Sequence, residues 1–110
     1  AEALARANNS VTQEALDCLN AVHQRAGLPA YKLSDFASVN DFLETVLLER
    51  GHELWFEGAR RTDLIRYGKY IEYAKKYKGS TTAKDYMTLM PLPQSVIDES
   101  KGKIAQNPGY

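Results

Sequence analysis

The stretch ERGHELWFEGARRTDL, residues 49 to 64, holds most of the side chains able to do chemistry. His52-Glu53 opens the zinc motif in which a second histidine four residues later completes a pair on one helix face, but that position is Phe56 and the motif fails. Glu49-x-x-His52 matches the carboxylate-histidine pair of di-iron bundles, a chemistry that needs a second copy. The other histidine, His23, has Asn20 at the matching offset, so no metal site is expected. Glu49, Glu53 and Glu57, spaced four apart, have the residue types of a glycosidase acid and nucleophile. Such carboxylates face each other across a cleft, whereas these lie along one stripe followed by Arg60, Arg61, Asp63 and Arg66. A self-satisfied ion network is the better reading, with no catalytic residue assigned. No Gly-rich phosphate loop, nucleophile elbow or cysteine-histidine signature is present.

A helix must carry this stripe. From a start near Val39, signalled by Ser38 or Asn40 and the acidic Asp41, an advance of about 100° per residue puts Val39, Phe42, Leu43 and Val46 on the buried side. Glu49, Glu53, Glu57 and Arg60 then fall within or beside that arc, and Trp55 falls opposite. Gly51 and Gly58 cost about 1 kcal/mol each relative to alanine inside a helix. A break near Gly58 and a second helix over 60–67 are expected. Upstream, Thr12 caps a helix with an apolar stripe of Ala15, Leu19, Val22 and Ala26, Leu16 and Cys18 at its edges, and Gly27 and Pro29 stop it near residue 26. A linker through Tyr31 and Leu33 leads to the long helix.

Downstream, Tyr67, Tyr70, Tyr73 and Tyr77 recur at helical spacing among Lys69, Lys75, Lys76 and Lys78. Packing of one tyrosine edge on the core with lysines in water is the plain account. Tyr70, Tyr73 and Tyr77 are also candidate ligand contacts, because a tyrosine face covers the apolar side of a sugar; stacking on bases is the least favoured reading. GSTTA ends that run. The two prolines of MTLMPLPQSVIDES then force an irregular, extended segment before a helical turn at 94–99, and QNPGY supplies a final turn.

Composition bounds the rest. The 110 residues, 44% hydrophobic and 25% charged, suit one globular domain with a modest core. Fourteen basic and fourteen acidic residues cancel, so net charge favours no partner. The charges are nonetheless segregated, acidic up to Ala59 and basic over the 25 residues that follow. One cysteine, Cys18, cannot form an internal disulfide and reads as a small core residue. No segment alternates convincingly as a strand, and no apolar run approaches the roughly 18 residues of a membrane span.

Five pieces in order, AEALARANN, EALDCLNAVHQRAGLP, ERGHELWFEGARRTDLIRYG, MPLPQSVIDES and QNPGY, resemble the C-terminal part of SusD/RagB-family proteins. The resemblance implies an all-α fold with helical hairpins of TPR-like type, in a surface-exposed outer-membrane lipoprotein that binds oligosaccharide and caps a TonB-dependent transporter. It implies binding without catalysis and without a cofactor. In its terms Glu49, Arg50, Glu53, Glu57, Arg60 and Asp63 tie the long helix to its neighbours, with Leu54, Phe56 and Leu64 packing between. Gly51 stands where a long polar residue is common, and His52 where a basic or polar one is. The family's lipidated cysteine and sugar-contacting residues lie upstream of the matching region. Residues 1–110 are thus expected to be a C-terminal domain whose membrane attachment and main glycan site are outside it. Two alternatives stand beside this reading: a helical protein-protein adaptor, and a carboxylate-dependent glycoside hydrolase.

Overall fold

Hydroxyl caps set the starts of two helices, the second and third in chain order, in the computed structural model, which describes residues 1–110. Helix α1, Glu2–Asn8, ends where Asn9 turns left-handed at φ 48° and returns its N–H to the carbonyls of Ala5 and Arg6. The Thr12 hydroxyl accepts from the Ala15 N–H at 3.2 Å and opens α2, Gln13–Arg25. The Ser38 hydroxyl accepts from the Asp41 N–H at 3.1 Å and opens α3, Val39–Glu53. Then follow α4, Arg60–Arg66, α5, Tyr70–Lys78, and α6, Gln94–Glu99; the protein is all-helical, with no strand.

The break after α3 comes earlier than Gly58. Helix α3 stops at Glu53, and the chain turns through two left-handed residues, Phe56 at φ 64° and Gly58 at φ 76°, before α4 begins. Glycine visits that region without a Cβ clash, whereas phenylalanine does so only under constraint.

Two compact units divide the chain, Ala1–Asp63 and Leu64–Tyr110. In the first, α1, α2 and α3 pack on one another around Ala5, Ala15, Leu16, Leu19, Phe42, Leu43, Val46 and Leu47, all buried. The α2 face that is buried runs through Leu16, Leu19, Asn20 and His23, so two polar side chains sit where the apolar stripe led to Val22 and Ala26. Cys18, read as a core residue, is exposed, because it falls outside that face.

The linker folds back onto both polar residues. Asn20 Nδ2 donates to the Tyr31 carbonyl at 2.9 Å and Asn20 Oδ1 accepts from the Tyr31 N–H at 2.8 Å, so one amide closes both backbone groups of a loop residue. His23 stacks on the Tyr31 ring at 4.3 Å, and Tyr31, Phe36 and Phe42 continue the aromatic contacts into the core.

In the second unit, Gly79 at φ 61° ends α5, which packs on a short 3-10 turn over Asp85–Thr88. The proline-containing stretch is held open and extended by the chain end. Gln106 both accepts from the Leu92 N–H at 2.7 Å and donates to the Leu92 carbonyl at 2.9 Å. Asn107 donates to the Met90 carbonyl at 2.6 Å, and the Tyr110 hydroxyl donates to that of Leu89 at 2.9 Å. QNPGY therefore acts as a clip: its polar side chains take up backbone groups that prolines prevent from joining a helix.

Candidate functional site: the charged stripe and the tyrosine face

Helix α3 aims its charges at two different neighbours. Toward α2, His23 Nδ1 lies 3.0 Å from Glu49 Oε2, with both side chains about nine-tenths buried, and one turn later Glu53 pairs with Arg25. Toward α4, Arg50 Nε donates to Asp63 Oδ2 at 2.8 Å. The Asp63 side chain is only 2% exposed and that of Arg50 38%. Arg60 Nη1 donates to the Leu47 carbonyl at 2.7 Å. Glu57 sits exposed in the turn between the helices.

Of the six residues read as one ion network, the structure pairs Arg50 with Asp63. Glu49 and Glu53 reach α2, Arg60 Nη1 donates to the Leu47 carbonyl, and Glu57 sits in the surface turn. His23, Arg25 and the Leu47 carbonyl are partners that spacing along one helix does not name. Phe56, placed between packed helices by the resemblance, is instead 93% exposed within these residues, because its left-handed backbone turns the ring outward. Trp55 is 74% exposed, and Leu64 is buried. His52 is exposed, and no group of three or more His, Cys, Asp or Glu side chains converges as a metal cage would require.

Gly51 has a specific role in this geometry. A Cβ there would stand 2.8 Å from Arg60 Nη1 and 3.1 Å from its Cζ, so the bare backbone is what lets the guanidinium cross α3 to reach Leu47. Gly51→Ala is expected to gain up to about 1 kcal/mol of helix propensity. It should lose more through the displaced charged hydrogen bond, of about 1.5–3 kcal/mol. The net change is a modest destabilisation that reverses sign when Arg60→Ala is already present. Urea melts of the single and double variants read this directly, and a Gly51→Ala chain more stable than its parent would contradict it.

The tyrosines separate. Tyr73 and Tyr77 approach with ring centroids 4.9 Å apart, and Tyr77 is 64% exposed. Lys76 Nζ lies 5.0 Å from the Tyr77 ring centre. The Tyr77 phenol, by hydrogen bond and by charge, holds the Lys76 ammonium above its ordinary range. Tyr70 instead lines a cavity of about 240 Å³ with Ile65, Ile71, Asp85 and Thr88. The aromatic surface open to a ligand on α5 is therefore Tyr77 with Tyr73 beside it.

Comparison with known proteins bears on both surfaces. The SusD family model matches residues 1–110. The starch-binding protein SusD of Bacteroides thetaiotaomicron is 34% identical over 68 residues, an alignment that takes in 56% of this chain and 12% of that protein. No solved structure gives a significant match. With the family pattern running from the first residue to the last across this helical scaffold, the chain belongs to the SusD family.

Proposed function

We propose that the chain is a structural domain of a non-catalytic glycan-binding lipoprotein of the outer membrane, which holds oligosaccharide at the cell surface for a TonB-dependent transporter. The observation that carries the scaffold assignment is the placement of the stripe: Glu49 lies on His23, Glu53 on Arg25 and Asp63 on Arg50. A glycosidase would present two carboxyls to each other across a substrate-sized gap. Here Glu49, Glu53 and Asp63 each join one element to another. Membership of the SusD family supports the glycan and uptake parts of the reading. The lipid anchor and the main sugar contacts are assigned to polypeptide beyond these residues, with Tyr73 and Tyr77 as an accessory surface. On this reading residues 1–110 form one domain, and both units unfold in a single cooperative transition.

A glycan array and calorimetry with α-glucan oligosaccharides, run on this chain and on the full-length protein, test the proposal. The full-length protein is expected to bind without releasing reducing ends. This chain alone should bind at least about a hundredfold more weakly, a difference of roughly 2.8 kcal/mol. Tight, saturable binding by the 110 residues that is lost in Tyr77→Ala would move the sugar site onto α5. Sugar release lost in Glu53→Gln would restore the hydrolase reading.

A further inference from the structure

Helix α5 carries its charges differently from α3. Lys69 pairs with Glu72 at 3.5 Å, while Lys75, Lys76 and Lys78, all exposed in the last turn of the helix, have no carboxylate partner. The second unit holds eight Lys and Arg side chains against four Asp and Glu, so the surplus is not balanced within it. Lys76 Nζ stands 5.0 Å from the centre of the Tyr77 ring, which is 64% exposed. The Tyr73 ring lies beside it, the centroids 4.9 Å apart and the planes tilted by 48°. An ammonium and an open aromatic ring are thus presented together.

We infer, resting on the reading of Tyr73 and Tyr77 as an accessory sugar surface, that the sugar this face selects is anionic: a pyranose bearing a carboxylate or sulfate group, with its ring against Tyr77 and its acid on the Lys76 ammonium. Hydrogen-bond chemistry makes the choice. A lysine donates and cannot accept. A neutral sugar, whose hydroxyls donate as well as accept, needs acceptors in return, and the carboxylate one turn away, Glu72, is engaged by Lys69. A carboxylate or sulfate brings acceptors and a charge, and its bonds to an ammonium are roughly twice as strong as neutral ones. Lys75 and Lys78, in the same last turn, add their field to that of Lys76. Other polyanionic partners fit less well. A lipid surface takes up an apolar helix face, and the apolar residues of α5, Ile71 and Ala74, are half-buried, with Ile71 lining the cavity beside Tyr70. A nucleic-acid strand stacks successive bases on aromatic platforms, and the 48° tilt leaves Tyr77 as a single one.

Lysine acetylation of the full-length protein, followed peptide by peptide with mass spectrometry, reads the site locally. The probes are hexagalacturonate, which carries carboxylates, a chondroitin sulfate hexasaccharide, which adds sulfates, and neutral maltohexaose, each at millimolar concentration. The better of the two acidic sugars is expected to slow acetylation of Lys76 at least about fivefold, and it identifies the acid preferred; maltohexaose should change the rate by less than about twofold. Acetylation of Lys101, exposed and outside α5, serves as the control and should not respond. Protection should fall as NaCl rises from about 0.05 to 0.5 M. In calorimetry Lys76→Gln, an exposed change of near-equal helix propensity, should weaken binding of the acidic sugar about tenfold, while Lys76→Arg keeps it. Equal protection by neutral and acidic sugars overturns the selection of an anion and leaves the accessory sugar surface standing. Protection by neither, in a protein that still binds maltohexaose, overturns the α5 site alone, whereas a full-length protein that binds no glycan loses the glycan reading with it. Inorganic sulfate or a single-stranded oligonucleotide that protects Lys76 as well as the acidic sugar does overturns it as a sugar site.

Discussion

Arg50→Met is expected to destabilise the fold by roughly 3 kcal/mol, the low end of the range for breaking a buried ion pair. The reason lies on the other side of the bond. Asp63 keeps 2% of its side chain in water, and Arg50 Nε stands 2.8 Å from its Oδ2. Methionine fills the same space without the donor, so a buried carboxylate loses the ion pair and hydrogen bond that Arg50 supplies. The reverse change differs. Asp63→Asn leaves Arg50 with 38% of its side chain exposed and thus able to turn toward solvent, and it retains an acceptor; a loss of about 1–2 kcal/mol is expected. Removing both charges in Arg50→Met with Asp63→Leu should cost less than Arg50→Met and Asp63→Leu added together, because the interaction the two side chains share is then lost once and not twice. Urea melts of the single variants and this double decide the matter. A change under about 0.5 kcal/mol in Arg50→Met would mean that water screens the pair as it does on an open surface.

That asymmetry shows where the sequence is informative. The starts of α2 and α3 are legible because the signals are local: Thr12 and Ser38 each sit three residues before the N–H they cap, and both do so in the structure. Phe42, Leu43 and Val46 are legible as core because one helical period specifies them, and all three are buried. Partners for the stripe are not. Glu49 and His23 are 26 residues apart and Glu53 and Arg25 are 28 apart, distances that the spacing rule for one helix cannot address. The polar members of the buried α2 face escape for a related reason, since a stripe traced through apolar residues passes over Asn20 and His23, whose burial depends on a loop folding back to meet them. The end of α3 is misplaced from sequence because Gly58 gives a visible signal and Phe56, which shares its left-handed backbone, gives none.

Phe42→Ala should be the most damaging single truncation, at about 3–5 kcal/mol, a large part of the 5–15 kcal/mol typical of whole domains. Phe42 is fully buried and so are Leu47, Ala5 and Ala15, which come from all three helices of the first unit. Its ring also meets Phe36 edge to face at 5.1 Å, and through Phe36 and Tyr31 it anchors the linker that returns to α2. A methyl group in its place would leave a cavity that three packed helices cannot close without losing other contacts. Phe42→Leu keeps most of the volume and should cost less than about 1.5 kcal/mol. Phe56 provides the control within the same chain, having the same side chain at 93% exposure. Phe56→Ala should leave the stability of these 110 residues within about 0.5 kcal/mol of the parent. Phe56→Gly should raise it by about 1 kcal/mol as the left-handed strain is relieved. Guanidinium melts of the four variants should rank Phe56→Gly above the parent, Phe56→Ala level with it, Phe42→Leu below and Phe42→Ala last. A Phe42→Ala chain within about 1 kcal/mol of the parent would mean that α1, α2 and α3 are not held together by this ring.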